Sequence, residues 1–111
     1  MTRPTLAETD AALEGSIRKW EKIIDGTGED KGVENCPLCE LFYYQGKRCN
    51  GCPVMIATGH QYCGRSPYSD WLRHAGDLKV DCATTPRLVK LARAELAFLK
   101  SLRRKPGKAK A

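Results

Sequence analysis

Apolar residues recur at helical spacing near the start of the chain. Five of them share one face at about 100° per residue: Leu6, Leu13, Ile17, Trp20 and Ile24. Thr5 and Glu8 form the S/T-x-x-E capping pattern at one end, and Gly26 follows the other end. The pattern predicts a helix over residues 5–24.

A second amphipathic pattern lies near the C-terminus. Its apolar positions are Leu88, Val89, Leu91, Ala92, Leu96, Phe98, Leu99 and Leu102. Thr85-Pro86 is a helix-start signal and Pro106-Gly107 is a stop signal. We predict a helix over residues 86–104 that packs against the N-terminal helix and over the middle of the chain, with a basic, flexible tail at 105–111.

Glu95 interrupts this apolar face, seven residues after Leu88. Burying a carboxylate is unfavourable unless it is paired. We therefore expect Glu95 to pair with an arginine or with backbone donors. A catalytic role would need a partner group that the sequence does not identify.

The middle of the chain carries weaker signals. Residues 25–35 are acidic and contain glycine, which predicts an exposed connector. Residues 40–48 favour extended structure, a short hairpin or an irregular loop, with Gln45-Gly46 as a turn. Proline starts and glycine stops predict two short helices, at Pro53 to Gly59 and from Pro67 to Gly76.

Four cysteines form two CxxC pairs, Cys36-Pro-Leu-Cys39 and Cys49-Asn-Gly-Cys52. A CxxC turn can aim both sulfurs at one point, and two such turns can supply the four ligands of a closed tetrahedral site. The sequence therefore predicts a metal-binding centre within residues 36–76, with zinc (Zn²⁺) as the favoured ion. The predicted fold is mainly α with a zinc-knuckle-like centre, in one domain spanning residues 1–111.

Other ligand sets and other metals fit the same spacing. Cys63 or His60 would serve as a substitute ligand, whereas Cys82 is interpreted as a small apolar residue and His74 as solvent-facing or locally hydrogen-bonded. An iron–sulfur cluster or a rubredoxin-like iron site is the chemical alternative to zinc. Free thiols without metal are the simplest alternative.

Whether the six cysteines bind metal or form disulfides depends on the redox environment of the protein. The first ten residues contain no apolar signal region, and no stretch reaches membrane-spanning length. We therefore expect a reduced, cytoplasmic protein. With 41% hydrophobic and 7% aromatic residues, it has few large core side chains, so a metal crosslink would add substantially to its stability.

The net charge of +6 is unevenly distributed. The segment from Arg87 onwards contains nine Lys/Arg and one acidic residue, so its formal charge is +8. The residues before Arg87 carry a formal charge of −2. This segment suggests nucleic acid as a partner. The predicted contacts are Lys100, Arg103, Arg104 and Lys105. The alternative is that the cations only solvate a helix end and complement its dipole.

No catalytic pattern accompanies the cysteines, and a closed four-sulfur site leaves no open coordination position. We therefore predict a non-enzymatic accessory protein. A protein-interaction module is the alternative to nucleic-acid binding, and an iron-based redox protein is a further one. The aromatic residues that could serve such an interface, Tyr43, Tyr44, Tyr62 and Trp71, fit a core role better.

Residues 36–71 resemble a pattern in small cysteine-rich proteins of phages and their bacterial hosts. The shared features are Cys-Pro-Leu-Cys, Cys-Asn-Gly-Cys-Pro, Thr58-Gly59, Cys63, Pro67-Tyr68 and Trp71. Such proteins mostly lack an assigned activity. The resemblance implies that Cys63 is a partner of the four CxxC cysteines, so the ligand quartet stays open among five candidates.

Overall fold

The computed structural model describes residues 4–43, 49–60 and 64–103. Within these ranges the chain forms α-helices and one 3₁₀ turn, Gly32–Asn35, and no strand. The helices are α1 (Leu6–Asp25), α2 (Pro37–Phe42), α3 (Pro53–Thr58), α4 (Pro67–Leu78) and α5 (Pro86–Ser101). The prediction of a mainly α protein is confirmed.

Side-chain caps fix where the two long helices begin. The backbone N–H of Glu8 donates to Thr5 Oγ1 at 3.0 Å, and the Thr5 N–H donates to Glu8 Oε1 at 2.7 Å. Gly26 ends α1 with a φ of 89°, in the left-handed region that glycine adopts without strain. Thr85 Oγ1 accepts from the Leu88 N–H at 3.1 Å at the start of α5.

The extended structure predicted for residues 40–48 is wrong at residues 40–42, because Pro37–Phe42 is helical. Packing decided this, since α2 lies against α1 with Leu38 and Phe42 buried. Gly15 of α1 permits the approach: a Cβ there would lie 2.9 Å from Pro37 Cγ. The Gln45-Gly46 turn lies outside the described residues.

Two other helix ends differ from the prediction. α4 passes through Gly76 and ends at Leu78, with Lys79 in the left-handed region at a φ of 58°. Ala75 is 3% exposed, and its burial holds this last helical turn against the core. α5 ends at Ser101 rather than at residue 104, and Leu102 is its C-cap.

The core lies where α5 packs against both α1 and α4. Its most deeply buried large side chains are Ile17, Ile23, Trp71 and Leu88. Leu6, expected on the buried face of α1, is 63% exposed because it lies at the first residue of the helix. No helix in the described ranges is long and apolar enough to cross a membrane.

The connector after α1 carries a buried ion pair. Lys19 Nζ lies 2.8 Å from Asp30 Oδ1, with the two side chains 10% and 5% exposed. Asp30 Oδ2 also accepts from the Tyr68 hydroxyl at 3.0 Å and from Trp71 Nε1 at 3.1 Å. The expectation of a wholly exposed connector is therefore wrong at Asp30, whose carboxylate joins the connector to α1 and α4.

Burial alone would raise the pKa of Asp30. The charge of Lys19 and hydrogen bonds from Lys19, Tyr68 and the Gly32 N–H outweigh burial, so the pKa lies below its ordinary value. The carboxylate form is thus the one that the fold stabilises. Trp20 completes this region with edge-on contacts to Trp71 and Tyr68, at ring-centroid distances of 5.1 and 5.8 Å.

Truncating Ile17 tests the core between the long helices. Ile17 is 1% exposed, so Ile17→Ala should lower the free energy of unfolding by about 3 kcal/mol through lost burial and a new cavity. Ile56→Ala is the matched control, because Ile56 is also helical but 74% exposed, and should cost about 0.5 kcal/mol. Urea denaturation followed by circular dichroism measures both; equal losses would contradict this core.

Replacing Asp30 by asparagine tests the buried ion pair. Asp30→Asn leaves Lys19 buried without its counter-charge, so the free energy of unfolding should fall by about 4 kcal/mol at neutral pH. Because the folded pKa of Asp30 is lowered, its stabilisation is present above the unfolded pKa of about 3.9 and is lost as the pH falls through the folded pKa. The difference between wild type and Asp30→Asn should therefore shrink in acid.

Asp70→Asn is the control for this comparison, because the Asp70 side chain is 55% exposed and pairs with Arg73 in the same helix. Its effect should be about 0.5 kcal/mol or less at neutral pH. Denaturation curves between neutral pH and pH values of about 3 measure both variants. A difference for Asp30→Asn that stays constant with pH would exclude the ionised pair as the source of stability.

Candidate metal centre

The first CxxC pair lies at the start of α2. Cys36 is the N-cap residue, and its Sγ accepts a hydrogen bond from the Cys39 N–H at 3.2 Å. A hydrogen bond with the Cys39 side chain and backbone N–H donors outweigh burial and lower the pKa of Cys36 to about 7. The turn thus favours the thiolate, which is the form that binds metal.

The second CxxC pair forms a tight turn before α3. The Cys52 N–H donates to the Cys49 carbonyl at 3.0 Å, and the Cys49 N–H donates to the Phe42 carbonyl at 2.7 Å, which ties the turn to the end of α2. Gly51 has a φ of 87° and packs against the Phe42 ring. Burial raises the pKa of Cys52 to about 11, so this thiol stays protonated unless a cation binds it.

All four of these cysteines line one cavity of about 430 Å³. Cys49 and Cys52 are buried, and Cys36 and Cys39 are half-buried. Among the described residues, no three His, Cys, Asp or Glu side chains come close enough together to hold a metal ion. The four sulfurs therefore surround a common space without converging on a point, and the zinc-knuckle geometry stays a prediction.

The alternative ligands are less well placed. His60 is exposed at the end of α3 and does not line the cavity, so the structure does not bring it to the four cysteines. Cys82 is half-buried and also lies away from the cavity wall. Cys63 lies outside the described residues, and its candidacy is unchanged.

Glu95 reaches the same cavity from α5. It is 4% exposed, and its Oε1 has no hydrogen-bond partner among the described residues. The expected arginine partner is absent within these residues; a backbone hydrogen bond from Tyr68 and the charge of Lys19 are what favour the carboxylate. Burial and the neighbouring Cys36 outweigh them and raise the pKa of Glu95 to about 8.

Ser16 is a cavity residue that the sequence interpretation missed. It is 3% exposed on α1, lines the cavity, and its Oγ has no hydrogen-bond partner among the described residues. The signal was available in the sequence, because Ser16 falls three residues after Leu13 and four before Trp20 on the buried helix face. The cavity therefore contains two buried polar atoms without partners, one from each long helix.

Two described basic residues of the C-terminal segment, Lys100 and Arg103, contact α1. Arg103 donates to Glu14 through two nitrogens, at 2.7 and 2.8 Å, and Lys100 Nζ lies 3.9 Å from Glu21 Oε2. The hydrogen bond from Arg103 lowers the pKa of Glu14. Two of the predicted nucleic-acid contacts are thus engaged in ion pairs within the protein, while Arg104 and Lys105 lie outside the described residues.

Comparison with known proteins gives no relative from which to transfer a function. No protein-family model matches the chain, no curated protein matches it, and no solved structure matches it. The resemblance to small cysteine-rich phage and bacterial proteins therefore stays a prediction.

Proposed function

We propose that this protein is a zinc-binding accessory protein whose ion crosslinks the two CxxC turns. The observation that carries the proposal is that both turns, which are ten residues apart from Cys39 to Cys49, line the same cavity. The spacing in the sequence does not by itself require the two turns to lie side by side. In the structure, all four thiol-bearing residues line the same cavity. Zinc prefers such a set of soft sulfur ligands.

The protein surroundings suit a metal-bound thiolate set. The Cys39 N–H already donates to Cys36 Sγ, and the charge of Lys19 also lowers the pKa of Cys36. Four thiolates and one Zn²⁺ carry a net charge of −2, so a nearby ammonium reduces the cost of burying them. Zinc–sulfur bonds of about 2.3 Å require the sulfurs to draw together on binding, which couples metal uptake to closure of the turns.

The role that fits such a site is structural. The first turn is fixed to α1 by the contact of Pro37 with Gly15, and the second is fixed to α2 by the hydrogen bond of Cys49 to Phe42. A four-sulfur ion between them would close residues 36–52 into one rigid unit. Such a unit has no open coordination position, so we propose a protein without metal catalysis.

The nucleic-acid hypothesis has less support than the zinc hypothesis. It rests on the +8 charge of the C-terminal segment. Arg103 and Lys100 already face Glu14 and Glu21, which fits the alternative that these cations stabilise the end of α5. Binding of a protein partner is likewise a proposal without a specific contact surface, since Trp71 is fully buried and serves the core.

Metal content tests the proposal directly. Protein purified under reducing conditions should show one zinc per chain by native mass spectrometry and elemental analysis. Cys36→Ser and Cys49→Ser should each lower zinc occupancy and the thermal midpoint, because structural zinc contributes on the order of 10 kcal/mol of binding free energy. Cys82→Ser is the matched control and should keep the metal, because Cys82 does not line the cavity.

Two outcomes would reject the zinc proposal. The first is a native mass equal to that of the bare polypeptide, with a thermal midpoint that a strong chelator does not change. The second is a coloured protein with stoichiometric iron, which would replace zinc by an iron site on the same cysteines. Loss of metal on Cys82→Ser, with retention on Cys36→Ser, would show that the ligand set is wrong.

A further inference from the structure

The solvent-exposed face of α5 carries positive charge. Four basic side chains lie on it: Arg87, Lys90, Arg93 and Lys100. The one acidic residue of the helix, Glu95, is 4% exposed and belongs to the buried face. At about 100° per residue, Lys90 and Arg93 lie near the middle of the exposed face. All the exposed charges of α5 are therefore positive.

The two central cations of this face are not paired within the part of the chain that the structure describes. Lys100 lies 3.9 Å from Glu21 of α1, but neither Lys90 nor Arg93 forms an ion pair within the described ranges. Those ranges contain every Asp and Glu of the chain, so the remaining residues add no carboxylate side chain that could serve as a partner. Lys90 and Arg93 are therefore available to an anion from outside the protein.

Helix stability does not account for the charges on α5. Arg87 is the second residue of the helix, where the helix dipole disfavours a cation. Lys90 lies three residues from both Arg87 and Arg93, and like charges at this spacing repel each other on a helix surface. The dipole explains Lys100 in the last turn, but it does not explain the other three cations. The groove beside Arg87 is also lined by two carboxylates of α4, Asp70 and Asp77. These acids make Arg87 a poorer anion contact than Lys90 and Arg93.

The uncharged residues of this face indicate the kind of anion. The exposed uncharged positions of α5 are Pro86, Ala94, Ala97 and Ser101. The exposed face of α5 thus has no large apolar or aromatic side chain. A helix that binds a membrane surface or forms the core of a protein interface presents large apolar side chains, and a site for single-stranded nucleic acid presents aromatic rings. Contact with the phosphates of a nucleic-acid duplex requires neither.

We propose that the exposed face of α5 binds the phosphate backbone of duplex DNA, with Lys90 and Arg93 as the principal contacts. A duplex carries about one negative charge per 1.7 Å of its axis, and the 16 residues of α5 extend over about 24 Å. The major groove of B-form DNA, about 12 Å wide, accommodates an α-helix, whereas the major groove of A-form RNA is too narrow. The proposal goes beyond the structural role of zinc and does not depend on it, because α5 contains no cysteine or histidine.

The salt dependence of DNA binding tests these contacts. Fluorescence anisotropy with a labelled duplex of about 20 base pairs measures the affinity of the full-length protein between about 50 and 200 mM salt. Lys90→Gln/Arg93→Gln removes two phosphate contacts, so the plot of log affinity against log salt should become less steep by about 1.8. The affinity at the lower salt concentration should fall about tenfold or more. Two duplexes of unrelated sequence should show the same loss, because phosphate contacts carry no sequence information.

Arg18→Gln/Lys22→Gln is the matched control, because it removes the same charge from two exposed positions of α1. Its salt dependence should stay close to that of the wild type. An equal change in the two double variants would show that net charge alone matters and would reject the α5 site. A variant with glutamine at the four basic positions of residues 104–111 separates the tail from the helix. If this tail variant loses the binding and the α5 variant keeps it, the proposal is wrong.

Competing anions test the choice of partner on the wild type, independently of any variant. Duplex DNA should bind more tightly than single-stranded DNA of equal length, duplex RNA, polyglutamate, or vesicles of phosphatidylglycerol and phosphatidylcholine. Tighter binding of any of these, or no binding of duplex DNA at the lower salt concentration, would overturn the proposal. Zinc content is measured on the same samples: DNA binding by a protein without zinc would support the α5 site while the zinc proposal fails. Circular dichroism establishes that each variant is folded; should the α5 variant not fold, the wild-type preference decides.

Discussion

The Asp30 carboxylate is the interaction on which the arrangement of the helices depends. The residue lies in a connector without helical structure of its own, yet its two oxygens contact Lys19 on α1 and Tyr68 and Trp71 on α4. α5 packs on both of these helices, mainly through apolar side chains, whose contacts are not directional. Directional hydrogen bonds to one buried carboxylate supply what apolar packing lacks.

The same connector leads into the first cysteine turn, so the position of Asp30 also places the candidate metal centre. A 3₁₀ turn begins two residues after Asp30 and ends immediately before Cys36. Pro37 then packs on Gly15 of α1, at a distance that no side chain at that position would allow. The glycine that weakens the middle of α1 by about 1 kcal/mol is thereby explained as a docking point for α2.

Sequence patterns predicted the elements whose signals are local. The capping box at Thr5, the proline starts at Pro53, Pro67 and Pro86 and the periodicity of α1 and α5 depend on neighbours within a few residues, and the structure confirms them. Phe42 was misassigned because its aromatic character favours a strand, while contact with α1 holds it in a helix. Partners from distant parts of the chain, such as those of Asp30, leave no local signal.

The candidate site likewise combines local features, which the sequence predicts, with long-range contacts, which it does not. The CxxC spacing identifies the cysteines, and the heptad position of Glu95 identified a buried carboxylate, but neither pattern shows that both face one cavity. Lys19 lies at the same cavity, where its ammonium group pairs with Asp30 and also lowers the pKa of Cys36 and of Glu95 below the values that burial alone would give. One lysine thus couples electrostatically to three acidic groups, Asp30, Cys36 and Glu95. Because that coupling runs through the Asp30 pair, the helix arrangement and the chemistry of the cavity are not independent properties of this protein.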